Sequence, residues 1–289
     1  MQNYSGVEDF EGFIYLNPNN VCTQWNIARG FFNSASIFHT FENHENLLSV
    51  SMVEMLSNNH HRLNCEISIE SIRQKYYPNC VSRLSGIFVF DSPEDALNIM
   101  NQENWGASQL YEEDLTDVGV AAISSSKHDS NWIELIFNEQ FQLNDNWIEN
   151  TKKYWEGLPV PNKQPIWERI VDGGITIWGT RIRETAIKNM QALPDIFQGS
   201  LGILEYAINA ARLGSYDGEM IAFILTTEEK TSIKYFMREI DKHNPLFIKK
   251  MIQYFKENPD HLCRIDQPGE WRMPNLNKYE VILLSSHST

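Results

Sequence analysis

A chain of 289 residues, 42% hydrophobic and 21% charged, has the composition of an ordinary globular protein, with material for one large core or two modest ones. Its 38 Asp and Glu against 24 Lys and Arg give a formal net charge of −14, which argues against wrapping a nucleic-acid duplex through many phosphates and suits a basic partner. Cys22, Cys65, Cys80 and Cys263 form no CxxC pair, and neither a signal-peptide pattern nor a membrane-length apolar run is present. The expectations are reduced thiols, no metal, no membrane, and a cytoplasmic location reached directly or by delivery into a target cell.

In chain order, Phe13-Ile-Tyr-Leu-Asn17 predicts a short strand closed by Pro18, with Phe13, Tyr15 and Asn17 on one side. Residues 21–40 are aromatic and Asn/Ser-rich without a clear period, and read as loop with a helical turn. Helical spacing marks residues 46–56, and residues 68–77 read as a second short helix stopped by Pro78. The apolar density of residues 81–90 predicts a central strand. The next helix starts with Ser92 as N-cap, Pro93 at its first position and Glu94 and Asp95 in its first turn. Residues 131–137 read as a strand and residues 147–155 as an amphipathic helix. Residues 165–178 predict a hairpin that turns at Asp172-Gly173-Gly174.

Beyond Gly179 the pattern changes. Residues 180–212 and 228–258 read as mostly helical, and residues 278–284 as a strand or helix. The expected organisation is an α+β protein with a core over residues 1–179 and a mainly helical region over residues 180–289.

Two charged residues stand out. Glu168 shares a strand face with Ile166 and Ile170, where an ionised acid costs desolvation unless it is paired or used. It is either a strand acid that reaches solvent or Arg169, or a functional carboxylate. Arg83, beside Ser82 and Ser85 at the mouth of an apolar segment, needs a carboxylate or an anionic ligand for its planar fork, or else snorkels to solvent. His60-His61 and the pair His39 and His44 lack metal-ligand spacing and read as surface or loop residues. No GxSxG, P-loop or GxGxxG occurs.

Taken together, the strand at residues 13–17, the run Ser82-Arg83-Leu84-Ser85-Gly-Ile-Phe-Val-Phe-Asp-Ser-Pro-Glu-Asp-Ala-Leu97, Tyr154-Trp155-Glu-Gly and Ile166-Trp-Glu-Arg-Ile-Val171 resemble a group of small bacterial ADP-ribosyltransferase-like proteins. They are similar, more remotely, to the DarT-type enzymes that modify nucleic-acid bases. The resemblance spans roughly residues 10–178. It implies a split, twisted sheet and NAD as co-substrate. Glu168 and Arg83 would be catalytic, Glu168 facing the cation that develops on the ribose and Arg83 the pyrophosphate. Tyr15, Asn17 and Ser85 would join Arg83 in binding NAD.

Two departures are visible. No histidine stands at Tyr15 or Asn17, and Ile166 occupies the position that carries Gln or Glu in arginine-directed enzymes. The expected function is a mono-ADP-ribosyltransferase acting as a toxin, effector or defence enzyme, restrained by an antitoxin or other inhibitory partner. RNA or DNA bases are favoured over protein as acceptor. The alternatives are a protein-directed transferase, an NAD glycohydrolase, and a catalytically inactive binding or inhibitor module. On the enzymatic reading, Glu168→Gln abolishes activity and leaves the melting temperature nearly unchanged.

Overall fold

A computed structural model describes residues 8–38, 46–101, 110–197, 199, 201–265 and 271–285. Its elements in chain order are β1 (Glu8–Tyr15), α1 (Val21–Arg29), β2 (Phe31–Asn33), β3 (Leu47–Leu48), α2 (Val50–Asn58), α3 (Arg62–Tyr76), β4 (Ile87–Val89), α4 (Pro93–Met100), β5 (Leu115–Asp129), α5 (Asn131–Ile136), α6 (Trp147–Trp155), β6 (Trp167–Ile177), α7 (Thr180–Gln191), α8 (Pro194–Phe197), α9 (Leu201–Ala211), β7 (Met220–Thr226), β8 (Lys230–Met237), α10 (Pro245–Glu257) and β9 (Val281–Ser285).

The fold is α+β with two antiparallel sheets. The first has the order β1-β5-β6-β2, and β6 carries two short partners on its second edge. β4 pairs with its Arg169–Val171 stretch and β2 with Gly174–Thr176, so the edge forks between them. Just past β4, Phe90 exchanges both backbone hydrogen bonds with Phe13 of β1, at 2.9 and 2.8 Å. The strands β1, β5, β6 and β4 therefore curl round until first meets last. At this seam a Cβ on Gly12 would sit 2.5 Å from Val89 Cγ1, so only glycine lets the strands approach. The second sheet has the order β3-β7-β8-β9.

The expected hairpin at residues 165–178 is not there: β6 runs straight through Asp172-Gly173-Gly174 as one strand. The glycines serve a close approach instead of a turn. β5 bulges between Ala122 and Ser124, and a Cβ on Gly173 would lie 2.2 Å from the Ala121 carbonyl oxygen. Gly173→Ala should therefore lower stability by about 1–3 kcal/mol, the ordinary cost of overpacking, read as a shifted urea midpoint.

Other expectations are corrected for local reasons. Residues 21–29 form a helix, capped by Asn20 Oδ1, which accepts from Cys22 N and Thr23 N, and closed by Gly30 at φ 81°. It is buried on every side, which is why it shows no amphipathic period. Within residues 81–90 only Ile87–Val89 is strand. Ser82 accepts from Leu84 N through its hydroxyl and from Gly86 N through its carbonyl, which folds Arg83 into a turn. Residues 131–136 are helical, because the Asp129 carboxylate takes Asn131 N and bends the chain out of β5.

The helix expected at residues 68–77 begins earlier, at Arg62. Ser92 and Pro93 start α4 as expected, with Ser92 Oγ accepting from Asp95 N, and α6 spans residues 147–155. Beyond residue 179 the chain is helix plus sheet: α7, α8 and α9 precede β7 and β8, and β8 (Lys230–Met237) lies within the segment 228–258 whose pattern reads as mostly helical.

Ile14, Trp25 and Ile170 belong to one buried apolar cluster with Ile182, Leu204, Met220 and Leu283, and α1 packs on α7 and α9. Among the described residues no helix is long and apolar enough to cross a membrane. The four cysteines are free thiols.

Candidate functional site

On α3, Arg62 and Glu66 lie one turn apart and face the first sheet. Glu66 Oε1 accepts from Arg62 Nε (2.8 Å) and from Arg83 Nη2 (3.2 Å), while its Oε2 accepts from Arg83 Nε (2.9 Å). The guanidinium of Arg83 reaches onward. Its Nη1 donates to Glu168 Oε1 at 2.7 Å and to the Tyr154 hydroxyl at 2.6 Å, and that hydroxyl donates to Glu168 Oε1 at 2.5 Å. The turn before β4, the strand β6 and the helices α3 and α6 thus deliver one side chain each to a common point. Phe88 lies under the Arg83 guanidinium, 4.8 Å from its centre.

The charges balance: two arginines meet two glutamates, and every one of these side chains is at most 1% exposed. Burial alone would lower the Arg83 pKa, but Glu66, Tyr154 and Glu168 hold it well above its usual value. Burial raises Tyr154 well above an ordinary phenol, with Arg83 opposing and Glu168 adding, so it remains a hydrogen-bond donor. Glu66 goes the other way. Burial would raise it, but Arg83 and Arg62 pull it down to about 2.

His128 of β5 lies directly across from Glu168 and stacks on the Tyr154 ring with centroids 4.5 Å apart. Its Nδ1 is 2.7 Å from the Tyr154 carbonyl, which can only accept, so the proton sits on Nδ1 and Nε2 accepts from Ser126 Oγ at 2.9 Å. Burial lowers its pKa to about 4, the Tyr154 carbonyl opposing and Arg83 adding to the shift, and the ring is neutral at pH 7.

The structure unites Glu168 and Arg83 and leaves the other expected residues apart from them. Tyr15 and Asn17 line a cavity of about 30 Å³, room for a water molecule or two, with Ser51, Glu54, Phe90 and Asp114. There the Tyr15 hydroxyl donates to the Ala96 carbonyl (2.9 Å), and Asn17 N donates to Glu54 Oε1 (2.8 Å). Burial pushes the Glu54 carboxyl up to about 8, with the Asn17 and Thr23 hydrogen bonds opposing and Asp114 reinforcing. Burial and Glu113 bring Asp114 to about 6, against Arg181.

Ser85 faces a larger cleft of about 420 Å³, walled by Ser82 and Leu84 on one side and by Ile67, Glu70 and Arg73 of α3 on another. Arg169, one reading of Glu168's partner, binds Asp91 instead at 2.8 and 3.0 Å. His39 and His44 lie outside the described residues. Among the described residues no group of three His, Cys, Asp or Glu side chains could hold a metal ion.

Sequence reasoning missed Glu66, Arg62, Tyr154, His128 and Glu54. The i,i+4 spacing of Arg62 and Glu66 was readable, but those residues stood ahead of the expected helix start. For His128 there was no signal, since its partner lies across the sheet.

Residues 19–186, more than half of the chain, match the family described as "Protein of unknown function (DUF2441)". The matched span contains Glu66, Arg83, Tyr154 and Glu168. No curated protein matches the sequence.

Proposed function

The chain belongs to the DUF2441 family, and we propose, from its own residues, that it is an NAD-dependent mono-ADP-ribosyltransferase on an ADP-ribosyltransferase-like split sheet. The observation that carries the reading is the meeting of Arg83 and Glu168, 85 residues apart in sequence, at 2.7 Å on a sheet whose edge forks at β6. Breaking the bond between nicotinamide and ribose leaves positive charge on the sugar, as glycoside hydrolysis does. A carboxylate held in a dry sheet face stabilises that charge and can accept the proton of an incoming nucleophile.

Within this reading the dinucleotide lies in the 420 Å³ cleft, which falls in the size range of ligand sites. Ser82 and Ser85 in its wall flank Arg83 in the chain. All three nitrogens of the Arg83 guanidinium are engaged by carboxylates or Tyr154, so the observed state is closed. A pyrophosphate competing for Arg83 would release Glu168 toward the ribose. The acceptor is an RNA or DNA base, because an extruded base needs few phosphate contacts and so tolerates a chain of charge −14. A toxin or defence role with a neutralising partner follows if that acceptor is essential to the cell.

One observation favours a second reading, a catalytically inactive binding or inhibitor module. The Glu66–Arg83–Glu168 network is sealed and charge-balanced, as a purely architectural network would be.

Adenylate-labelled NAD offered with separate pools of RNA, single-stranded DNA and cell protein separates the two. Transfer of label to a nucleic-acid pool by wild type, and not by Glu168→Gln held below its melting temperature, is the expected result. Label confined to protein would move the acceptor, and free ADP-ribose without labelled macromolecule would make water the acceptor. NAD left intact with every pool would overturn the enzymatic reading in favour of the binding module.

A further inference from the structure

Helix α10 is anchored as a rigid element. Asn244 Oδ1 caps it, accepting from Leu246 N and Phe247 N; Pro245 starts it; Phe255 is buried; and the Tyr254 hydroxyl bonds His261 Nδ1 at 2.8 Å. Its outer side is unusual for this chain. Leu246 is 78% and Ile252 63% exposed, and Ile248 and Ile252, one turn apart, line a groove of about 780 Å³ with Pro245, Lys249 and Lys256.

Residues 242–257 carry four lysines and one glutamate, in a chain whose acids outnumber its bases 38 to 24. Lys242 pairs with Glu239, while Lys249, Lys250 and Lys256 are exposed and join no ion pair among the described residues. The acid at the groove's end, Glu257, accepts from Gln253 Nε2. Exposed aliphatic side chains with unpaired cations along one side, on a preformed helix, are the make-up of an interface.

We infer that the outer groove of α10 is the docking site for an acidic amphipathic helix of a separate protein. The Ile248–Ile252 ridge accepts the partner's apolar i, i+4 stripe, and Lys249 and Lys256, along one side of it, oppose the partner's glutamates. The inference does not depend on the transferase reading, since none of these residues lines the cleft or joins the Arg83–Glu168 network.

The test uses the full chain and two synthetic helical peptides. One has leucines at i, i+4 and i+7 flanked by glutamates, and the other has lysines in place of the glutamates. Fluorescence anisotropy is expected to show saturable binding of the acidic peptide only, weakened by salt. The doubly reversed variant Lys249→Glu with Lys256→Glu should lose about tenfold or more in affinity for it and gain binding of the lysine peptide. Ile252→Asp should abolish binding. All three positions are exposed, so melting curves should overlay wild type, and if Ile252→Asp fails to fold the lysine pair still decides.

Absence of saturable binding, or equal binding of both peptides, overturns the inference. So does a dimer by sedimentation that Ile252→Asp dissociates, which would make the occupant a second copy. Capture by phosphatidylserine–phosphatidylcholine vesicles that the lysine variant abolishes would make it a lipid surface.

Discussion

Arg83→Met is expected to lose about 3–5 kcal/mol of folding stability, the usual result of orphaning a buried ion-pair partner. Methionine keeps most of the volume, so the loss reports charge more than packing. It takes one buried donor from Glu168 and two from Glu66, at side chains no more than 1% exposed. Glu168→Gln removes one charge and keeps one acceptor, so a smaller loss of about 1–3 kcal/mol is expected. This differs from the nearly unchanged melting temperature that the sequence alone suggests, because Arg83 and Tyr154, which bond the carboxylate, are themselves buried.

The double variant Arg83→Met with Glu168→Leu should recover much of the loss, because Arg62 and Glu66 remain a matched pair. Urea unfolding of wild type, both singles and the double measures all of this. A loss below about 1 kcal/mol for Arg83→Met would mean that water reaches the network, and the sealed resting state proposed above would be wrong.

The second large effect is a pH dependence centred on Glu54. Its carboxyl is held at about 8 in the folded chain against 4.5 as the ordinary value, so the folded state binds more protons between those limits. Stability attributable to Glu54 is complete below about pH 4.5 and is lost as pH rises through 8. Asp114, raised to about 6, acts with the same sign over a lower window. His128, lowered to about 4, and Glu66, lowered to about 2, act oppositely, each withdrawing stability as pH falls.

Glu54→Gln keeps an oxygen to accept from Asn17 N and cannot ionise. Relative to wild type it should therefore gain stability progressively from about pH 5 to pH 9, by an amount on the order of a few kcal/mol. The difference between the two urea-derived curves isolates Glu54 from the other titrating groups. Parallel curves at every pH would show that Glu54 ionises normally and that its cavity is open to water.

Elements were legible where their signal is local. Ser92, Pro93, Glu94 and Asp95 announce a helix start because a cap, a fixed φ and the helix dipole act within one turn, and α6 shows its amphipathic period within its own nine residues. Residues 21–29 hid their helix because burial on all faces erases the period. Gly173-Gly174 misled because glycine is demanded by two different causes, a positive φ and a close backbone approach. Only the bulge in β5 reveals that the second applies.

The same division holds at the site. The sequence by itself determined that Glu168, between isoleucines at strand spacing, and Arg83, beside an apolar run, each needed an opposite charge, a ligand or a path to solvent, since desolvation is paid residue by residue. Which partners they take was decided only by tertiary structure. Glu66, Tyr154 and Glu168 meet Arg83 across 17, 71 and 85 residues of chain, where sheet register and helix packing, and no local preference, set who touches whom. Tertiary structure alone also separated Tyr15 and Asn17 from Ser85, because β1 and the turn before β4 open onto different cavities of the same core.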